Sequence, residues 1–509
     1  MKYSLSRRDF LKLSGVFSLG LTLPQLIFEP EDFSQSPESK NVLIIVFDAW
    51  SAYNTSLFGY ERETTPNIAR LADRAVVYHN HFAGGNYTTP GTASLLTGTH
   101  PWSHRAFGHN SEVDEAFVEK NIFHAFKNHY RVAYSHNPLV NTFLKQFSGK
   151  LDEYIPQQEL LLDSDWIVHT LFNNDEDIAS VSWVRAMKRQ IEGYSYSLYL
   201  SQLYEKYKQG KITSFQGDFP GGLPSVRDDN YFRLEDSITW LKQSLAGLPK
   251  PFLGYFHYMP PHFPYKTHQD FKGRFTNDGW EQVDKPEHLF SRGFTPERLY
   301  KTRTEYDEFI LYVDREFGKL SDYLEDSGLL DNTWVVLTSD HGEMFERGIR
   351  GHLTFTLHQP VIRVPLLIFE PGRARREDVY TPTSAIDVLP TLMQLTGQEI
   401  PGWVEGGVMP PYSQIPPDPE EGVYALEARR TNEGSPIYRG TVMLVKDGYK
   451  MMYYFGYEEM AETGEMIELF DIENDPEELN DIHSSQKGIV DEFKGEIIEK
   501  ISEVNEPYL

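Results

Sequence analysis

The sequence predicts an α/β protein built on a mostly parallel sheet flanked by helices, with a smaller C-terminal α+β subdomain. Two observations carry the first part. Asn41-Val42-Leu43-Ile44-Ile45-Val46-Phe47 is a continuous apolar run closed by Asp48, as suits a strand buried on both faces. Comparable runs recur at Arg131–Ser135, Phe252–Tyr258, Trp334–Ser339 and Val364–Phe369, with helical patterns such as Asn67–Ala75 and Glu305–Glu325 between them. The third observation is a change of character after about residue 400. A Pro-rich bridge, PPYSQIPPDPEEG, leads to alternating stretches at Tyr438–Val445 and Lys450–Phe455, which predict a small antiparallel sheet, and a last helix is expected over Ile489–Val504.

The chain has 509 residues, enough for two or three domain-sized units. Three segments are expected: a signal and linker over 1–39, a catalytic domain over 40–400, and a C-terminal subdomain over 401–509. Residues 150–235 interrupt the strand–helix rhythm with Tyr-, Trp- and Leu-rich helical sequence, and read as an insertion.

Near the N-terminus, Ser6-Arg7-Arg8-Asp9-Phe10-Leu11-Lys12 precedes an apolar stretch to about Phe28. The string resembles a twin-arginine export signal, so the protein is expected outside the cytoplasm, in the periplasm or on the extracytoplasmic face. No clear cleavage site follows, which leaves membrane attachment through this segment open.

A formal net charge of −27 argues against nucleic acid as the partner, because phosphate backbones need a supply of cations. A small anionic substrate remains compatible, since a bound metal ion can reverse the local field. Cysteine is absent, which removes disulfides, thiolate metal sites and a cysteine nucleophile.

Chemistry gathers where apolar runs end. One ends at Asp48, a second in His257-Tyr258-Met259-Pro260-Pro261-His262, and a third in Ser339-Asp340-His341-Gly342-Glu343. In an open α/β sheet these carboxyl ends share one edge, where ligands bind. A fourth segment, Tyr87-Thr88-Thr89-Pro90-Gly91, fits the start of a helix with Thr89 near its N-cap. A hydroxyl there feels the positive helix end, which favours an alkoxide and an incoming anion.

These strings carry a family resemblance. NVLIIVFDAW, TTPGTASLLTGTHPWSHR, FHYMPPHFPY, the stretch ending in VVLTSDHGE, and VIRVPLLIFEPG resemble, in order, the sulfatase-like branch of the alkaline phosphatase superfamily. IELFDIENDPEELND is similar to that family's C-terminal signature. The resemblance implies an alkaline phosphatase-like fold and a metal-dependent enzyme acting on phosphate or sulfate esters. It implies metal ligands at Asp48, Thr88, Asp340 and His341, a catalytic Thr88, and substrate contacts from His262 and His352. One divalent ion is expected, with zinc, manganese, magnesium and calcium all compatible with the ligand set. His257 reads first as a packed strand-end histidine, with a contribution to the site as the alternative.

Three departures from the sulfatase pattern bear on function. Thr88 stands where sulfatases carry the cysteine or serine that becomes formylglycine, and oxidising a threonine would give a ketone instead of an aldehyde. Thr92 replaces an arginine, and Asp48-Ala49 replaces a pair of aspartates. Threonine at the nucleophile position resembles the phosphodiesterases, phosphonate hydrolases and phosphoethanolamine transferases of the superfamily. The expectation is therefore phosphate- or phosphonate-ester chemistry through a threonine nucleophile, on a small anionic or envelope-linked ester. Two alternatives stay open: a sulfatase working without formylglycine, and an inactive relative that binds a glycan or an envelope polymer.

Overall fold

The computed structural model describes residues 40–162, 195–227, 230–415, 421–460 and 464–509. The segment expected to be an export signal, and much of the expected insertion over 150–235, lie outside the described residues.

The central sheet has eight strands: β1 (Asn41–Phe47), β2 (Ala75–Tyr78), β3 (Tyr130–Ser135), β4 (Glu153–Tyr154), β5 (Phe252–Tyr258), β6 (Thr333–Thr338), β7 (Leu366–Phe369) and β8 (Glu377–Val379). Their spatial order is β8-β2-β7-β6-β1-β5-β3-β4. Strand β1 lies between β5 and β6, parallel to both, and every one of its residues is buried. Side chains alternate across a strand, so Leu43, Ile45 and Phe47 enter one core and Val42, Ile44 and Val46 another. The first core is closed by helices Leu234–Leu245 and Pro296–Asp326. The second is closed by helices Thr88–Thr97, Pro138–Gln146 and Val388–Leu395. This two-sided burial explains why the run is apolar throughout instead of alternating.

Five of the seven pairings in this sheet are parallel, and β7 accounts for both exceptions, running antiparallel to β6 and β2. The chain leaves β6 at its carboxyl edge, builds loops there, and re-enters the sheet from the same edge, so β7 must run back. The helical pattern of 67–75 also resolves differently. Helix α1 covers only Pro66–Leu71, a 3-10 turn follows, and β2 starts at Ala75. The long helix begins nine residues earlier than its apolar pattern suggests, at Pro296, where the Thr295 side chain accepts from the Arg298 amide.

The C-terminal sheet has four antiparallel strands, β9 (Val423–Glu427), β10 (Gly440–Lys446), β11 (Tyr449–Phe455) and β12 (Glu465–Asp471). One face packs Met443, Met452 and Tyr454 against Phe82, Phe290 and Ile362 of the larger sheet's loops. The other packs Val442, Met451 and Leu469 under Phe493 and Ile497 of the final helix, Lys487–Asn505. At the junction Lys450 Nζ lies 2.6 Å from Glu478 Oε1, both side chains fully buried, and Glu478 also accepts the Gln359 amide at 2.9 Å.

Residues 259–295 form neither helix nor strand. They are pinned at Trp280, whose ring lies 4.4 Å from the Arg62 guanidinium and 4.8 Å from that of Arg303. Such cation–π contacts, made by two buried arginines, fix a long connection without backbone pairing. Among the described residues no helix is long and apolar enough to cross a membrane.

Candidate active site at the carboxyl edge of the sheet

Strands β1, β3, β5 and β6 are parallel, so Asp48, Asn137, His257 and Asp340 all emerge at one edge. After β1 the chain turns at Ala49, whose φ of 60° is left-handed, an uncommon conformation for a residue with a side chain. The turn is locked from both sides. The Ala49 amide donates to Asp340 Oδ1 (3.2 Å), and the Tyr306 hydroxyl donates to the Ala49 carbonyl (2.6 Å).

Helix α2 (Thr88–Thr97) delivers its N-terminus to the same edge. Tyr87 is the N-cap and Thr88 the first helical residue, so the capping role expected of Thr89 is not observed. The extended backbone of Tyr87 starts the helix one residue earlier and turns Thr88 toward the centre. The approach depends on Gly91, because a Cβ there would sit 2.0 Å from the Asp340 carbonyl oxygen. Thr88 Oγ1 lies 3.3 Å from His341 Nε2 and 3.3 Å from Asn137 Nδ2.

Around it, His341 Nε2 is 3.5 Å from Asp48 Oδ1 and 3.7 Å from Asp340 Oδ2. The other ring nitrogen, Nδ1, lies 2.8 Å from the Gly342 carbonyl and so carries the proton, which leaves Nε2 facing the carboxylates. Burial disfavours the His341 imidazolium, but the charges of Asp340 and Asp48 outweigh it and raise its pKa to about 9. Asp48 is pushed up by burial and pulled down more strongly by His262, His257 and His341, so its carboxyl stays well below the usual range.

His257 is not the bystander its aromatic context suggests. Its Nε2 is 3.2 Å from Asp48 Oδ2 and 3.7 Å from Asp340 Oδ2, and Asp48, His257 and Asp340 form a buried cluster of potential metal donors. The residues fit a divalent cation. Two carboxylates and two imidazoles converge with no exposure to solvent, and among the described residues Asp48 Oδ1 has no hydrogen-bond partner. Buried carboxylates this close need a cation between them.

The sequence-predicted residues Asp48, Thr88, Asp340 and His341 are thus brought together. His262 and His352 stand beside them in a row of tilted rings, with the His352 ring 4.4 Å from that of His341 and 5.0 Å from that of His262. Two further residues had been given no role from the sequence, Asn137 unnoticed and Glu343 only within a recognised string. Asn137 donates through Nδ2 to Asp48 Oδ2 at 2.5 Å and to Thr88. Its signal was its place just past the strand at Tyr130–Ser135, before a helix-starting proline. Glu343, 1% exposed, is 2.9 Å from His352 Nδ1 and accepts the Tyr265 hydroxyl at 2.9 Å. Burial raises its pKa, and His352, His262 and His341 lower it further than that. Glu343 therefore stays ionised and holds the His352 ring by Nδ1.

Comparison with known proteins agrees with this geometry. The sulfatase family model matches residues 40–398. A choline-sulfatase of Rhizobium meliloti is 25% identical over 498 residues, covering 89% of this chain and 84% of its own. A multifunctional alkaline phosphatase superfamily protein, PehA, of Trinickia caryophylli is 25% identical over 419 residues, covering 73% and 77%. Among solved structures, the phosphonate monoester hydrolase of Agrobacterium radiobacter superposes with a TM-score of 0.65 at 19% identity, covering 92% of this chain and 96% of its own. A putative sulfatase of Bacteroides fragilis gives 0.64 at 16% identity, covering 95% and 98%. The fold is that of sulfatases and phosphonate hydrolases alike, and on the family match the chain belongs to the sulfatase family of the alkaline phosphatase superfamily, a family of ester-cleaving hydrolases.

Proposed function

We propose that the protein hydrolyses phosphate or phosphonate esters through a covalent intermediate on Thr88. The observation that carries this is the Thr88 hydroxyl itself, at the start of α2 and 3.3 Å from both His341 and Asn137. Cysteine is absent from the chain, so no cysteine-derived formylglycine can form.

Asp48, His257, Asp340 and His341, with the Thr88 hydroxyl, would hold a divalent ion. Bound there, it supplies positive charge that favours the deprotonated hydroxyl and offsets charge on the ester. Thr88 Oγ attacks phosphorus, the P–O bond to the leaving group breaks, and the leaving oxygen takes up a proton. Asn137 donates to Thr88 and Asp48 and so fixes the hydroxyl against the carboxylate. His262 and His352 bind the non-bridging oxygens, with His352 oriented by Glu343. Water then attacks the phosphothreonine, and its proton replaces the one Thr88 lost.

Sulfate-ester hydrolysis by the same residues is the second reading, favoured by the likeness to choline-sulfatase over most of both chains. The export signal at Ser6–Lys12 supports a place for this chemistry outside the cytoplasm, on a small or envelope-linked anionic ester. Cell fractionation of the full chain tests the location, and a cytoplasmic pool with the signal intact would overturn it.

The activity is tested by turnover of matched aryl phosphate diester, phosphonate monoester and sulfate ester, with Thr88→Ala as the blank. Phosphorus-ester turnover that vanishes in the blank is expected. Dominant sulfate turnover would replace the first reading by the second, and full activity of Thr88→Ala would remove Thr88 as nucleophile.

A further inference from the structure

We propose that Tyr255 is a positioning residue that makes His257 a metal ligand, and that the resulting pair of imidazoles gives a centre preferring zinc to calcium. This rests on the site's being a metal centre.

Tyr255 and His257 are two residues apart on β5, so their side chains lie on the same face of the sheet. Both are fully buried. The Tyr255 hydroxyl is 2.9 Å from His257 Nδ1, while His257 Nε2 faces Asp48 and Asp340. A neutral imidazole carries one proton, and its place decides what Nε2 can do. With the proton on Nδ1, donated to the Tyr255 oxygen, the Nε2 lone pair is free to ligate. With the proton on Nε2, the ring donates to Asp48 and cannot ligate. The Tyr255 oxygen, buried and 2.9 Å from Nδ1, is placed to accept from the ring. Thr92, which donates to Asp340 Oδ2 at 3.4 Å, lies beside that same hydroxyl.

Without the hydroxyl, a proton on Nδ1 would be buried with no acceptor, which is costly. The proton then moves to Nε2, where Asp48 accepts it, and one nitrogen donor is lost. Ala49 offers no carboxylate at the first strand's end, so His257 takes that place as a donor beside Asp48, Asp340, His341 and the Thr88 hydroxyl. Two nitrogen donors suit zinc, whereas calcium takes six to eight oxygens.

The test is equilibrium binding of zinc alone and calcium alone to the metal-stripped full chain. Wild type is expected to bind zinc at least about 100-fold tighter than calcium. Tyr255→Phe should weaken zinc by about 10–100-fold, the usual effect of losing a residue that orients a ligand, and calcium by under about 3-fold. Unchanged zinc affinity in Tyr255→Phe overturns the role of Tyr255, and wild type binding calcium as tightly as zinc overturns the preference. Wild type binding neither ion removes the metal centre itself, a distinct failure. A check independent of the variant's folding is nitrogen-15 histidine NMR of zinc-loaded wild type, with the His257 signal assigned by its loss in His257→Gln. A proton on His257 Nδ1 is expected, and a proton-free Nδ1 overturns the proposal.

Discussion

Replacing Lys450 by methionine should destabilise the protein by about 3 kcal/mol without abolishing its fold. The Lys450–Glu478 pair is buried completely at 2.6 Å, and burial lowers the lysine's pKa more than Glu478 raises it. The attraction therefore does not fully repay the removal of both charges from water, as is common for buried pairs. Removing one partner costs more than the pair contributes, because the other charge stays behind; typical losses are about 3–5 kcal/mol. The lower end applies here because Glu478 keeps the Gln359 amide at 2.9 Å and Arg347 donates to its backbone carbonyl. Glu478→Gln added to Lys450→Met removes the stranded charge and keeps an acceptor for Gln359, so the double variant should recover most of the loss. Urea unfolding at constant slope measures both. A single-variant loss under about 1 kcal/mol, or a double variant no better than the single, would refute the argument.

Asp340→Ala or His341→Ala should lose bound metal and activity together, read by metal analysis beside turnover; activity without metal would contradict the assignment. His262→Ala should impair kcat/KM by about 100–1,000-fold while leaving metal content unchanged, the size expected for one donor to the reacting group. In chelator-treated protein, His341 should make stability depend on pH. Its folded pKa of about 9 exceeds the ordinary 6.5, so its contribution is full below about pH 6.5 and is lost as pH rises through 9. A shift of that size is worth about 3 kcal/mol. The difference in unfolding free energy between wild type and His341→Gln, from urea unfolding, should shrink by that amount from pH 6 to 10, and an unchanged difference would sink the reasoning.

The strands that build the site were legible because parallel strands buried on both faces leave unbroken apolar runs, and Asp48 and Asp340 interrupt those runs sharply. His257 was legible as a donor only as the second of two readings. Its neighbours Phe256 and Tyr258 make it look like core, and only the pairing of Val46 with His257 across β1 and β5 sets its ring beside Asp48. Asn137 is a similar case, since β3 register alone places it next to a residue 89 positions earlier. The reversal of β7 left no trace in its composition, because a strand between two others is apolar whichever way it runs. Glu343 stood in a recognised string, yet its partner His352 is reached only through the loop between β6 and β7.

The pinning of residues 259–295 divides the labour of the site. Asp48, Asn137, His257 and Asp340 stand at the ends of strands whose register is set by the sheet, whereas His262 and His352 ride on connections outside it. One of those connections is fastened at Trp280, on the arginines of other elements. The bond-breaking half is therefore a fixed chassis and the mouth an exchangeable fitting. Lineages of such a protein can trade one leaving group for another by rewriting the mouth, and a designer can graft new loops between Lys266 and Thr295 while leaving His262, Tyr265 and the strand-end residues in place.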